Sequence, residues 1–442
     1  MTDREMPLPS PELPEQPIMR IVEPIVRFLR IEAVGGIVLL GAAVAALGLA
    51  NSPLADRFLS MWTVPIGIQF GSFALVYSLH EVVNDGLMTL FFFLAGLEIK
   101  RELVLGELRT LRLAALPIAA AAGGMAVPAL IYLALQIGGP GEAGWGTVMA
   151  TDIAFVVGCL ALLGSRVPRS LYVFVLSLAI MDDLGAILVI AIGYTSQLHV
   201  VPLAFAIAGL GVVVAMRRLG VRSVPAFYAI GIPIWFAVHE SGVHATVTGV
   251  ALGLMTPVHA WVGADRFHSI ASAMRRRIAG GHHDSGGERR LLRSVAFAAR
   301  ETLSPLERLE DALHPWVSYL VMPLFAFANA GVPLSAAEVG DSVVLAIVAG
   351  LVMGKPVGIL AASWLAVRLG IAVRPQELGW PVIGAAGALA GIGFTMALFI
   401  ADLAFSEALL DAAKFGVLAA SAISAVFGLA LLAAVLRRRA MG

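Results

Sequence analysis

The chain has 442 residues, 59% hydrophobic and only 14% charged, with a mean hydropathy of +0.90, a balance that excludes a water-soluble enzyme and disorder for the bulk of the chain. Thirty Lys and Arg against thirty Asp and Glu leave no net charge, which excludes a nucleic-acid binder working through a global basic field. The single Cys159 excludes an internal disulfide framework, and what remains is a polytopic membrane protein.

Residues 1–30 are polar and Pro-rich, with Arg4, Arg20, Arg27 and Arg30 and no apolar core of a signal peptide, so they are read as an uncleaved cytoplasmic tail. A helix crossing a hydrocarbon core of about 30 Å needs roughly 20 apolar residues. Twelve runs qualify, at about 33–50, 82–104, 110–136, 144–163, 168–194, 201–217, 224–239, 243–260, 313–332, 342–366, 379–401 and 412–436. Between the first two, Thr63 to Leu79 alternates Val64, Ile66, Ile68 and Phe70 before a Gly71-Ser72 turn, the pattern of a short β-hairpin outside the membrane. Residues 31–437 thus read as one all-α transmembrane domain that includes the hairpin at 63–79. The polar, Arg-rich stretch 261–311, centred on GGHHDSGGERR, is expected to be a loop or a short amphipathic helix, either a mobile or headgroup-contacting insert or a regulatory element. A short tail, 438–442, follows the last run.

Lys and Arg resist translocation and collect in cytoplasmic connections. Of the 30 basic residues, all but Arg57, Lys355 and Lys414 fall in the N-terminal tail, in the connections after the second, fourth, sixth, eighth and tenth runs, or at the C-terminus. Both termini and the 261–311 insert are therefore expected in the cytoplasm, and the hairpin on the periplasmic side.

Ionisable groups at mid-helix cost about 2.5–3.5 kcal/mol each on insertion scales, so those that remain are functional candidates. Asp152 (WGTVMATDIAFVVG), Asp182 and Asp183 (SLAIMDDLGAILVI) and Lys355 (LVMGKPVGIL) stand out. Asp152 is open to a second reading, in which it neutralises the N-terminal dipole of a broken helix. Lys355 needs a counter-ion, naturally one of the Asp pair, unless it snorkels to an interface. Pro356 argues for a local distortion beside it. Adjacent helical residues point about 100° apart, so Asp182 and Asp183 can both border one cavity. Their hard oxygens suit a small hard cation, and protons compete for the same oxygens. A site that crosses the membrane loaded with one or the other, but not empty, couples the two fluxes.

The residues then match a known family along nearly the whole chain. NDGLMTLFFFLAGLEIKREL (Asn84 to Leu103), ATDIAFVVGCLALLGSRVP, MDDLGAI, SGVHATVTGV, LEDALHPWVSYLVMPLFAFANAGV, GKPVGI and GIGFTMALFIA resemble signatures of the NhaA sodium/proton antiporters. The resemblance implies an inverted-repeat antiporter fold with the fourth and eleventh helices discontinuous. By the same likeness Asp182 and Asp183 bind Na+ and protons, Lys355 pairs with Asp182, Thr151 and Asp152 sit at the fourth-helix break, and Gly391-Ile392-Gly393 is the eleventh-helix break. It further implies control by alkaline cytoplasmic pH through Glu98, Arg101, Glu102, Glu310 and His314, with His244 tied to the response. Read singly, each of these is equally a solvated helix end with ordinary ion pairs. Asp311 stands where the family pattern suggests histidine, and the 261–311 insert exceeds the usual connection.

The expectation is an electrogenic Na+(Li+)/H+ antiporter of a bacterial inner membrane, working by alternating access, without resident cofactor, and homodimeric through the hairpin by resemblance. A sodium-coupled solute symporter is the alternative. An intramembrane aspartyl protease fits poorly, because its two carboxylates sit on separate helices with a GxGD-type motif. No GxxxxGK[ST] phosphate loop occurs.

Overall fold

The computed structural model describes residues 32–70, 73–195, 198–279, 285–334 and 340–441. The N-terminal tail, the Gly71-Ser72 turn and the centre of the Arg-rich insert (280–284) lie outside the described residues. In chain order the elements are α1 (Glu32–Ala50), α2 (Ala55–Trp62), β1 (Pro65–Phe70), β2 (Phe73–Ser78), α3 (Leu79–Val104), α4 (Leu111–Gln136), α5 (Ile153–Leu163), α6 (Arg169–Gly193), α7 (Val200–Arg218) and α8 (Val224–Glu240). There follow α9 (Thr246–Met255), α10 (Ala264–Ala279), α11 (Ser285–Glu301), α12 (Pro305–Trp316), α13 (Met322–Asn329), α14 (Ser342–Arg368), α15 (Trp380–Ala390), α16 (Phe394–Ala404) and α17 (Glu407–Met441).

Each of the twelve apolar runs coincides with one helix or a broken pair. By length and composition seven helices among the described residues are fit to cross a membrane, or up to nine if two bent pairs count as single spans. The hairpin forms where alternation marked it: β1 and β2 are antiparallel, in register from Pro65↔Ser78 to Phe70↔Phe73. Its exit is fixed by a capping box, in which Ser78 Oγ accepts from Glu81 N and Ser78 N donates to Glu81 Oε2, so α3 starts at Leu79. At the end of α7, Gly220 takes φ 77°, the left-handed conformation that stops a helix without strain on a side chain.

One expectation needs correction. The 261–311 insert is neither a loop nor one short helix: α10 and α11 together cover most of it and pack on each other. Phe267, Ile270 and Met274 recur at helical spacing in α10, as do Leu291, Val295 and Ala298 in α11, and two such faces bury each other. The base of this hairpin of helices is anchored by the buried Glu301, which pairs with Arg222 and with Arg308 (3.2 Å). At the C-terminus, α17 continues through Arg437 and Arg438 to Met441, so residues 438–441 are helical.

The helices pack in two groups. α3 lies along α9, with α8, α7 and α12 beside them; α4 lies along α14, with α6, α15, α16 and α17 around that pair. Close approach depends on glycine. A Cβ at Gly358 of α14 would strike the carbonyl of Gly123 in α4, and the reverse holds as well. Gly358→Val should therefore force α4 and α14 apart, at a cost of about 1–3 kcal/mol, read as a lower melting temperature in detergent. Gly41→Val, where a Cβ meets nothing within 4 Å, should leave melting unchanged.

Candidate functional site

Two chain breaks meet inside the second group. The 3₁₀ segment Glu142–Val148 stops, residues 150–152 lie outside any helix, and α5 begins at Ile153. α15 and α16 break at Gly391-Ile392-Gly393 with a bend of 50°, the position that the family resemblance implied. The breaks touch: Asp152 N donates to Ile392 O at 2.7 Å.

Breaking a helix exposes unpaired N–H groups on one side and carbonyls on the other. Asp152 satisfies donors of both positive ends. Its Oδ1 accepts from Phe155 N (3.0 Å) as the N-cap of α5, and its Oδ2 accepts from Thr395 N (3.1 Å) and Thr395 Oγ1 (2.5 Å) at the start of α16. Its carboxylate thus sits at the N-terminal ends of two helices, α5 and α16. The negative ends face hydroxyl and ammonium donors: Lys355 Nζ donates to Met149 O (2.6 Å), and Thr151 Oγ1 lies 3.0 Å from Ala390 O.

Lys355 spends its other two protons on Thr151 Oγ1 (2.8 Å) and Asp182 Oδ2 (2.6 Å), so all three ammonium donors are used. It is held in the bundle rather than snorkelling. The six-residue π-helical segment Ala349–Gly354 ends against Lys355-Pro356, the distortion expected where Pro removes a helical donor. Thr151 has one hydroxyl proton, which goes either to Asp182 Oδ2 (2.6 Å) or to Ala390 O. Thr151, Asp152, Asp182, Asp183 and Lys355 are each exposed by 3% or less. Among the described residues, Oδ1 of Asp182 and Oδ1 of Asp183 have no hydrogen-bond partner. Two buried carboxylate oxygens without donors, beside one ammonium, are free to take a proton or a small cation.

The remaining candidates divide. Glu98 on α3 lies near enough to Asp183 to repel it electrostatically, linking the pair to the basic end of α3. There Arg101 Nη1 meets Glu310 Oε1 of α12 at 2.5 Å, and the half-buried Glu102 turns toward Gly106. Glu310 is buried, but His314, one turn further, is exposed. His244 is not with this cluster: it precedes α9 at the opposite end, with Nε2 2.8 Å from Tyr194 O. The Tyr194 hydroxyl bridges Ala143 O (2.9 Å) and Gly146 N (3.0 Å), tying His244 to the entrance of the first broken helix. Thr395 and Ser421, whose Oγ accepts from Phe394 N at 3.0 Å, were not singled out from sequence; a hydroxyl two residues beyond a Gly-x-Gly break was the available signal.

The chain matches the model of the family described as Na+/H+ antiporter 1 over residues 26–432. It is 53% identical over 438 residues to Na(+)/H(+) antiporter NhaA 2 of Acidiphilium cryptum, covering 99% of this chain and 98% of that one. It is also 53% identical over 417 residues to NhaA of Rhizobium meliloti (94% and 95% covered), and 50% identical over 418 residues to NhaA 2 of Vibrio vulnificus (94% and 93%). With a buried pair of carboxylates beside two touching helix breaks, seven helices of membrane length among the described residues, and relatives so named along nearly its whole length, the chain belongs to the Na+/H+ antiporter family.

Proposed function

We propose that this chain exports Na+, and Li+, in exchange for protons, with Asp182 and Asp183 as the shared binding site. The observation that carries the reading is the fully buried Asp182–Lys355 pair, bonded through Thr151 to the helix breaks, with acceptor oxygens of both aspartates left open. Protonation of the aspartates or their occupation by Na+ are mutually exclusive ways of neutralising them, and Lys355 is the internal counter-ion between the two. More protons entering than Na+ leaving makes the cycle electrogenic, so that the membrane potential contributes about 2.3 kcal/mol per charge per 100 mV. The cycle draws on no resident cofactor.

Twelve spans, related in two inverted repeats, are the topology we assign, with the short helices α8 and α9 and the α12–α13 unit counted among them. Both termini and the α10–α11 insert then face the cytoplasm of a bacterial inner membrane, as the distribution of Arg and Lys requires. The β1–β2 hairpin lies on the periplasmic side, where it would pair two copies. A sodium-coupled symporter finds no support: the relatives are named as Na+/H+ antiporters.

The experiment is Na+-induced dequenching of a proton-gradient dye in everted vesicles, without added solute. Na+-dependent proton release is expected, and its absence would remove the assignment.

The Arg101–Glu310 contact supports control by cytoplasmic pH. With Glu310 ionised the pair forms and ties α3 to α12; with Glu310 protonated the ion pair is lost. Glu310→Gln should flatten the acid limb of the pH–activity profile, and an unaltered limb would exclude this contact from pH control.

A further inference from the structure

A second buried polar cluster lies toward the opposite end of the bundle from Arg101 and Glu310, outside the site described above. It joins the two helix groups: His80 and Asn84 on α3 and Asn329 on α13 meet Asp402 on α16 and Lys414 on α17. Thr395, Phe399 and Asp402 follow at i, i+4 and i+7, so one face of α16 leads from the helix break to this cluster, about 10 Å along the axis. Phe399, packed against Phe92 (5.5 Å) and Phe325 (6.2 Å), forms an apolar layer between the two polar sites.

The bonding within the cluster is uneven. Asn84 Nδ2 donates to Asp402 Oδ2 at 2.7 Å, and Asn329 Nδ2 donates to Asn84 Oδ1 at 2.8 Å, which fixes the amide orientations. Those contacts leave Asp402 Oδ1 and Asn329 Oδ1 facing the Lys414 ammonium, at 3.7 and 3.4 Å. His80 Nε2 sits 3.1 Å from that same Asn329 oxygen. Lys355, by comparison, is clamped by three bonds of 2.6–2.8 Å. Lys414 therefore holds a buried position on two oxygens without the short contacts that fix a structural ammonium. A carboxylate and an amide oxygen directed at one monovalent cation are the hard ligands an alkali ion takes, with water completing its shell. Glu81 and Asp85 on α3 add negative charge around this end.

We propose that Asp402 and Asn329 form a second station for the transported alkali cation, on the exit side of the Phe92–Phe325–Phe399 layer, with the Lys414 ammonium as its competitor. The inference rests on the exchange reading and deepens it. An ion leaving Asp182 and Asp183 outward passes the aromatic layer, displaces Lys414 from Asp402, and is released when the flexible lysine returns. While the ion holds Asp402, the displaced ammonium keeps Asp411, the other carboxylate that acts on Lys414, so neither cation is left without a counter-charge.

The test uses the full chain in vesicles of both orientations, with the half-saturating Na+ concentration measured on each face. Asp402→Asn should raise it by about tenfold on the periplasmic face, the order expected for loss of one charged ligand, with a far smaller change on the cytoplasmic face. Lys414→Gln should lower it on the periplasmic face, since the competitor is gone. If both variants shift it in the same direction, or shift the two faces equally, the cluster is a structural latch and the proposal is overturned. Should Asp402→Asn fail to reach the membrane, Lys414→Gln decides alone, an unchanged or raised periplasmic value refuting the station. Wild-type vesicles lacking any Na+-dependent proton movement would refute the exchange reading as well, which separates the two failures.

Discussion

Asp183→Asn is expected to abolish Na+-dependent proton movement while leaving the melting temperature unchanged or higher, whereas Asp182→Asn abolishes transport and lowers it. The two aspartates are sequence neighbours with different surroundings. Asp183 is 3% exposed and its Oδ1 has no donor among the described residues, so an amide removes a buried charge that no hydrogen bond to that oxygen offsets. Asp182 is the counter-ion of Lys355, at 2.6 Å with both side chains fully buried. An amide there still accepts a hydrogen bond but leaves the ammonium unpaired, and removing one partner of a buried pair costs about 3–5 kcal/mol. Exchange is lost in both variants because an amide releases no proton at these pH values and carries no charge to neutralise a cation. Dye dequenching in everted vesicles reads the transport, and thermal denaturation of purified protein reads the fold. Exchange at the wild-type rate in either variant would remove that residue from the ion site.

The division between what the sequence displays and what it hides follows from distance along the chain. Mid-membrane charges announce themselves locally: Asp182, Asp183, Lys355 and Asp152 interrupt apolar runs, whereas the break at Gly391-Ile392-Gly393 was expected only through the family resemblance. The hairpin was legible because alternation with period two is a local signal. Partnerships across the chain were not. Thr395 reaches Asp152 over 243 residues and Lys355 reaches Met149 O over 206, and nothing in either window names the other. α2 was missed because Ala55–Trp62 is too short to span, and its 119° bend from α1 is a tertiary feature. Lys414 stands apart in the sequence only as a basic residue outside the cytoplasmic connections, and its burial is a product of packing. Asn84 and Asn329 escaped for a different reason: a screen for ionised groups does not register neutral amides, though in an apolar setting they need partners just as strictly.

Lys355→Ala should melt several degrees below wild type while retaining some exchange. Lys355 is fully buried, and its ammonium holds three acceptors together: Met149 O at the end of a half-helix, Thr151 Oγ1 at the break, and Asp182 Oδ2 on α6. Alanine leaves the carbonyl without its lysine donor, opens a cavity the length of the side chain, and strips Asp182 of its counter-ion, so the loss should reach the upper part of the 3–5 kcal/mol range for breaking a buried pair. The ion-binding oxygens themselves remain. Asp182 and Asp183 can still exchange a proton for a cation, at a rate reduced by looser positioning and with no internal cation to take over when Na+ leaves. Lys355→Arg restores the charge but not the geometry, because a planar guanidinium cannot direct three donors at Met149, Thr151 and Asp182 as a tetrahedral ammonium does. It should therefore recover less stability than the charge alone would suggest. The decisive comparison is melting temperature against transport in the same preparations. Complete loss of exchange in Lys355→Ala with wild-type melting would show that the lysine serves the ion cycle alone and does not hold the helix breaks together.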